Sequence, residues 1–155
     1  MISPELLRRL PFFAPFSEIH LKAIAMISEE DTVEQGVVLL DECGTADRLY
    51  FLLEGSVELF YTAKSEKSGA ADKEYSMGDI NPGEVFSISA LIEPYVLSAN
   101  ARTTQPSRII KIDAPALRQM FVEDSSMGFL AMSQISKALM ERLAYTRIQL
   151  AAAWA

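Results

Sequence analysis

The 155-residue chain contains one cysteine and one histidine. A single cysteine excludes an internal disulfide, and with it the disulfide-stapled folds of small secreted proteins. A single histidine excludes the multi-histidine metal sites of zinc hydrolases and cupin-like oxygenases. Basic residues are also scarce. Fourteen Lys and Arg stand against 21 Asp and Glu, for a net charge of −7, so the chain lacks the surplus that grips a phosphate backbone. No apolar run reaches the roughly 18 residues that a membrane span requires. The N-terminus has no cationic segment ahead of an apolar stretch, and Pro11 and Pro15 break its apolar part, so it is not a signal peptide. A soluble cytoplasmic protein is the expectation. G-x-S-x-G, P-loop and dinucleotide fingerprints are missing too.

Half of the residues are hydrophobic, enough for one compact domain. Their spacing predicts helices at both ends and β structure between. One short helix is predicted over 6–10, with Ser3 as cap and Pro4 in its first turn, and a second over 17–27, capped by Ser17. The character changes past Glu29-Glu30-Asp31. Short strands are predicted over 32–34 and 37–41, then over 48–53 and 56–61, where the Glu54-Gly55 link reads as a hairpin turn. The polar segment 63–72 is expected at a surface hairpin tip. Strands resume over 73–80, 96–103 and 107–113, with a turn at Asn81-Pro82-Gly83-Glu84. Asp113 caps a helix through 122. A long helix of about 25–28 residues, or about 40 Å, follows Ser126. The predicted fold class is mainly β, an eight-stranded jelly roll. Its parts are N-terminal helices (1–31), a β-roll (32–113) and C-terminal helices (114–155) in a single domain.

Catalytic and metal chemistry finds few candidates. His20 has no second histidine to share a metal, and it reads as a partly packed helix residue. Asp41, Glu42 and Asp47 read as solvated turn residues. Ser87 and Ser89 have no histidine base nearby in sequence, which argues against nucleophilic catalysis. Cys43 has acidic Glu42 beside it and no base to activate a thiolate.

Four stretches together carry a resemblance: Leu10-Pro11-Phe12-Phe13 with Phe16-Ser17; Gln35-Gly36 through Glu42-Cys43-Gly44; residues 49–59 around Glu54-Gly55; and Pro82-Gly83-Glu84-Val85-Phe86 with Ala90-Leu91. Over nearly its whole length the chain resembles a cyclic-nucleotide-binding domain of the type found in the cAMP receptor protein and in protein kinase A regulatory subunits. The resemblance implies a jelly roll with a phosphate-binding cassette of the pattern F-G-E-x-A-L, about five residues, then R-[ST/A]-A. In that cassette backbone N–H groups meet the cyclic phosphate, the Glu accepts the ribose 2′-hydroxyl and the Arg binds the phosphate.

The corresponding ligand-binding positions here are Gly83, Glu84, Phe86, Ser87, Ile88, Ser89 and Ala90, followed by Leu97, Ser98 and Ala99. Ser87 stands at the Gly position, Ile88 at the Glu position and Leu97 at the Arg position. Losing two bonds to charged groups costs about 3–6 kcal/mol, on the order of a hundred- to ten-thousand-fold in affinity. The cassette is therefore degenerate. Either the pocket is filled or vestigial and the domain is structural or binds proteins, or the pocket takes another, less charged ligand. Arg102, at odd spacing from Leu97, is expected on the opposite face of its strand.

The resemblance also assigns the last helix to dimerisation. Met132, Ile135, Leu139, Leu143, Leu150 and Trp154 follow mostly three- and four-residue steps, which predicts a parallel two-fold homodimer. No helix-turn-helix domain, metal or cofactor is expected, and no contact with nucleic acid or membrane. The favoured function is a non-catalytic sensor or regulatory module, with a small ligand or a protein as its partner. A ligand signal would be relayed at the hinge between Asp113 and Ser126. The alternatives are true cyclic-nucleotide binding in an altered pose, and a small jelly-roll enzyme.

Overall fold

The computed structural model describes residues 1–66 and 69–155. Ser17 caps α2 (Glu18–Met26), which follows α1 (Pro4–Arg8) and a 3-10 turn over Pro11–Phe13. Eight strands then form two four-stranded antiparallel sheets. They are β1 (Ser28–Val33), β2 (Val38–Leu40), β3 (Arg48–Glu54), β4 (Val57–Ala63), β5 (Lys73–Ile80), β6 (Val85–Phe86), β7 (Asn100–Thr103) and β8 (Ser107–Asp113). The first sheet has the order β1-β8-β3-β6 and the second β2-β7-β4-β5. A 3-10 turn over Ile88–Leu91 lies between β6 and β7, and α3 (Ala114–Glu123) and α4 (Ser125–Ala153) close the chain. This is the expected mainly β jelly roll with helices at both ends.

Two corrections to the sequence reading have clear physical causes. The acidic segment Glu29-Glu30-Asp31, grouped with the N-terminal helices (1–31) in the sequence reading, is the middle of β1. It is tolerated there because β1 is an edge strand whose acids face the cations of β8: Glu30 pairs with Arg108, and Asp31 with Lys111 at 3.2 Å. The link Glu54-Gly55 is not a hairpin turn, because β3 and β4 lie in different sheets. It is a corner that carries the chain from one layer to the other. The true hairpin is β4–β5, across the polar segment assigned to a surface tip. Residues 67 and 68 of that tip lie outside the described residues.

The first sheet is packed on both faces. On β3, Leu49 and Phe51 point toward the terminal helices while Leu52 points into the space between the sheets. On β8, Ile110 and Ile112 go one way and Ile109 the other. This is the alternation of a strand buried on two sides. Phe51 is the centre of the outer core. Its ring lies 5.1 Å from that of Phe12 and 5.0 Å from that of Phe13. The first half of α4 completes this layer with Met127, Ala131 and Ile135, and Gln134 donates to the Phe12 carbonyl at 3.0 Å. Asp124 separates α3 from α4 and caps the latter. Its carboxylate accepts from the Ser126 hydroxyl at 2.7 Å and from the Met127 N–H at 3.2 Å, and it pairs with His20 of α2 at 3.0 Å. These bonds, the Ser126 hydroxyl first, hold it below the usual carboxylate range.

The corner at Gly55 has φ +100°, and a Cβ there would lie 2.7 Å from the Pro106 carbonyl oxygen and 2.8 Å from the Ser107 Cα. Gly36, with φ +84°, has open space around it. Gly55→Ala is therefore expected to cost about 2–4 kcal/mol, strain plus overpacking, against about 1 kcal/mol for Gly36→Ala. Urea denaturation midpoints of the two variants check the difference.

Candidate ligand-binding site

The site is built at the end of β6. The Gly83 N–H donates to the Leu52 carbonyl at 2.7 Å and the Leu52 N–H to the Glu84 carbonyl at 3.1 Å, which fixes the approach to the turn. Glu84 spends its carboxylate on its own turn, accepting the Asn81 N–H at 2.7 Å. Phe86 is fully buried and stacks on Tyr50 with ring centroids 5.0 Å apart. Burial raises the pKa of the Tyr50 phenol, and Asp47 adds to the shift. Ser87 then adopts a left-handed conformation, φ +62°, a region that glycine enters freely and other residues at a cost of about 1–2 kcal/mol. The turn Ile88–Leu91 follows directly.

The side chains of this segment are packed inward. Ile88 and Leu97 are each 8 % exposed, and Ala90 is fully buried. Leu97 belongs to the core between the sheets, with its backbone tied to Gly44 and Cys43. The hydroxyls of Ser89 and Ser98 lie 3.3 Å apart. Beside these residues is a cavity of about 470 Å³, walled by Leu40, Leu59, Ser87, Ile88, Val96 and Ala99 among others, with Leu139 and Arg142 of α4 contributing. Leu97 does not reach this wall. Ser87 is 6 % exposed, and its hydroxyl oxygen has no hydrogen-bond partner among the described residues.

Two arginines from the C-terminal helices hold the segment at its ends. Arg118 of α3 donates to the Ala90 carbonyl at 2.5 Å, and its guanidinium lies 3.7 Å above the Tyr95 ring. Arg142 of α4 donates to the Val85 carbonyl. Burial pulls the Arg142 pKa below its ordinary value, and the charge of Glu84 only partly offsets this. Arg102 is not in the cavity wall. It pairs with Glu58 and Glu74 at 3.4 and 2.7 Å and covers the Phe60 ring.

A family model described as the cyclic nucleotide-binding domain matches residues 30–124. The chain belongs to the cyclic nucleotide-binding domain family. It is 39 % identical to a protein described as cyclic nucleotide-binding from Geobacter metallireducens, over 92 % of this chain and 99 % of that one, with a TM-score of 0.80. The sensor domain of the transcriptional regulator DNR from Pseudomonas aeruginosa shares the fold at 18 % identity, with 90 % of each chain covered and a TM-score of 0.70. A cyclic nucleotide-binding domain from Methylobacillus flagellatus does so at 16 % identity, over 96 % of this chain and 80 % of that one, with a TM-score of 0.75. No curated protein matches the chain.

Of the predicted cassette residues, Ser87, Ile88, Ser89, Ser98 and Ala99 line the cavity; Phe86, Ala90 and Leu97 are buried in the core, and Gly83 and Glu84 lie at neighbouring clefts. The backbone shape of the cassette survives the loss of its glycine, because Ser87 takes up the left-handed conformation. The two positions that would carry charge in the family pattern hold core side chains instead. The sequence reading missed Arg118 and Arg142. Arg142 lies three residues beyond Leu139, on one face of the helix, and that spacing is the only sequence signal for it.

The predicted helix stripe divides. Ile135 is 1 % exposed and is used by the chain's own core, while Met132 packs against it and stays half-exposed. Leu139, Leu143 and Leu150 remain exposed, beside Met140, Ile148 and Trp154. Among the described residues, no cluster of three or more His, Cys, Asp or Glu is placed to hold a metal ion. No helix among them is long and apolar enough to cross a membrane.

Two substitutions test the site. Leu97→Arg restores the family residue but puts a cation between the sheets. It is expected to lower stability by about 3–5 kcal/mol, with no gain in cAMP affinity by calorimetry. Ser87→Gly removes both the backbone strain and the unpartnered hydroxyl, and a gain of about 1 kcal/mol is expected in denaturant unfolding.

Proposed function

We propose that this chain is a non-catalytic, cytoplasmic sensor or regulatory module that acts as a homodimer through α4 and does not hold a cyclic nucleotide in the family's usual way. The observation that carries this reading is the burial of Ile88 and Leu97 at the positions of the two charged contacts, with the neighbouring cavity left open. A cyclic nucleotide in the family's pose would meet apolar groups at both positions and lose the two charged contacts of the family pattern. Arg118 and Arg142 support a sensing role, since they tie the two ends of the cassette segment to both C-terminal helices. The structural likeness to a sensor domain of a transcriptional regulator agrees with it. The net charge of −7 disfavours direct contact with nucleic acid.

The dimer reading rests on the second half of α4. The helix has 29 residues and is about 43 Å long. Tyr145 still touches the roll, its ring 2.8 Å from where a Cβ on Gly78 would lie. Beyond it, Ile148, Leu150 and Trp154 are exposed. A second copy of the helix would cover this surface and that of Leu143.

Calorimetry with cAMP and cGMP tests the first part: no binding tighter than about 10 μM is expected, and tighter binding sinks the reading. Light scattering tests the second, with a dimer expected for the full chain. Leu143→Glu combined with Leu150→Glu is expected to weaken that dimer by about 4 kcal/mol, on the order of a thousandfold. A wild-type chain that stays monomeric at high concentration refutes the dimer.

A further inference from the structure

The wall of the cavity combines three features that a cyclic nucleotide does not need together. Most of it is apolar, with Leu40, Leu59, Met77, Ile92 and Leu139 facing one volume of about 470 Å³. Arg142 lines this cavity and the two clefts beside it, which also hold Glu84 and Glu141; its half-buried guanidinium makes one hydrogen bond, to the Val85 carbonyl, and no ion pair among the described residues. The Glu84 carboxylate that acts on it from a distance is occupied by the Asn81 N–H. The third feature is Ser87, whose buried hydroxyl has no partner among the described residues. Glu93, the acidic residue of the wall, is exposed.

A guanidinium has five N–H donors, and one bond to a carbonyl leaves most of them open. A half-buried cation with only a distant counter-charge is left short of partners, and carboxylates and phosphates both match its planar fork; the mostly apolar wall favours the anion that carries a hydrocarbon body. At the position that meets the ribose hydroxyl in the family pattern, Ile88 offers no acceptor.

We propose that this cavity takes a small amphipathic monocarboxylate, with its hydrocarbon body on the apolar wall and its carboxylate on Arg142, the Ser87 hydroxyl serving as a second donor. The ligand would then bridge the cassette and α4, the helix assigned to dimerisation. This rests on the reading of the cassette as unable to hold a cyclic nucleotide in the family's usual way.

The test is calorimetry on the full chain with octanoate, octanol and cAMP. Octanoate is expected to bind saturably, one per chain, and tighter than octanol. Arg142→Gln is expected to weaken octanoate about ten- to a hundredfold and leave octanol unchanged. Ser98→Phe, at an exposed position of the wall, should block both. If Arg142→Gln does not fold, the octanoate-to-octanol ratio of the wild type and the Ser98→Phe variant decide. Equal affinity for octanoate and octanol overturns the proposal, as does octanoate binding that survives either substitution, or no saturable octanoate binding. Failure with octanoate while cAMP also stays silent removes this inference alone. Binding of cAMP tighter than about 10 μM removes the reading beneath it as well.

Discussion

The carbonyls of Val85 and Ala90 bracket the cassette, and each is held by an arginine from a different C-terminal helix. Most of what is particular to this molecule depends on those two bonds. They require α3 and the middle of α4 to lie against the roll, which the Phe51 cluster and the buried face of Met127, Ala131 and Ile135 arrange. They also place a half-buried guanidinium at the edge of the cavity. A rearrangement of the cassette that displaced the Val85 carbonyl would break its bond to the long helix, and the same helix supplies Leu139 and Arg142 to the cavity wall.

The site shows a family backbone kept while its chemistry is exchanged. Ser87 accepts a left-handed backbone and a buried unpartnered hydroxyl, two costs that a glycine would avoid. Ile88 and Leu97 turn recognition groups into packing groups. A buried Leu contributes about 1.5–3 kcal/mol to stability, whereas an arginine at the same place between the sheets would need a counter-charge. Positive charge near the cavity comes instead from α4, a different element and a different direction.

Much of the architecture was legible from local pattern. Ser3, Ser17 and Asp113 cap helices where the spacing places them, and the strands of the roll follow their β-branched and apolar runs. The β-hairpin pattern at Glu54-Gly55 misled, because a glycine with positive φ serves a tight hairpin and an inter-sheet corner equally well. The acid triad of β1 misled because propensity takes no account of cross-strand cations more than seventy residues away in sequence. For the site, the ten cassette positions were readable from their order, since they are nearly contiguous. Arg118 and Arg142 were not, because their partners are carbonyl oxygens, which no side-chain pattern marks.

The sequence by itself determined the family, the jelly-roll class and the absence of charge at positions 88 and 97, because each is written in local order and residue type. Only the tertiary structure decided that Leu97 turns away from the cavity, that Ile135 belongs to the chain's own core, and that Arg142 supplies the cavity's cation. The physical reason is the same in each case. Which way a side chain faces at the end of a strand or along a helix longer than the roll is set by what packs against it, and those neighbours come from distant parts of the chain.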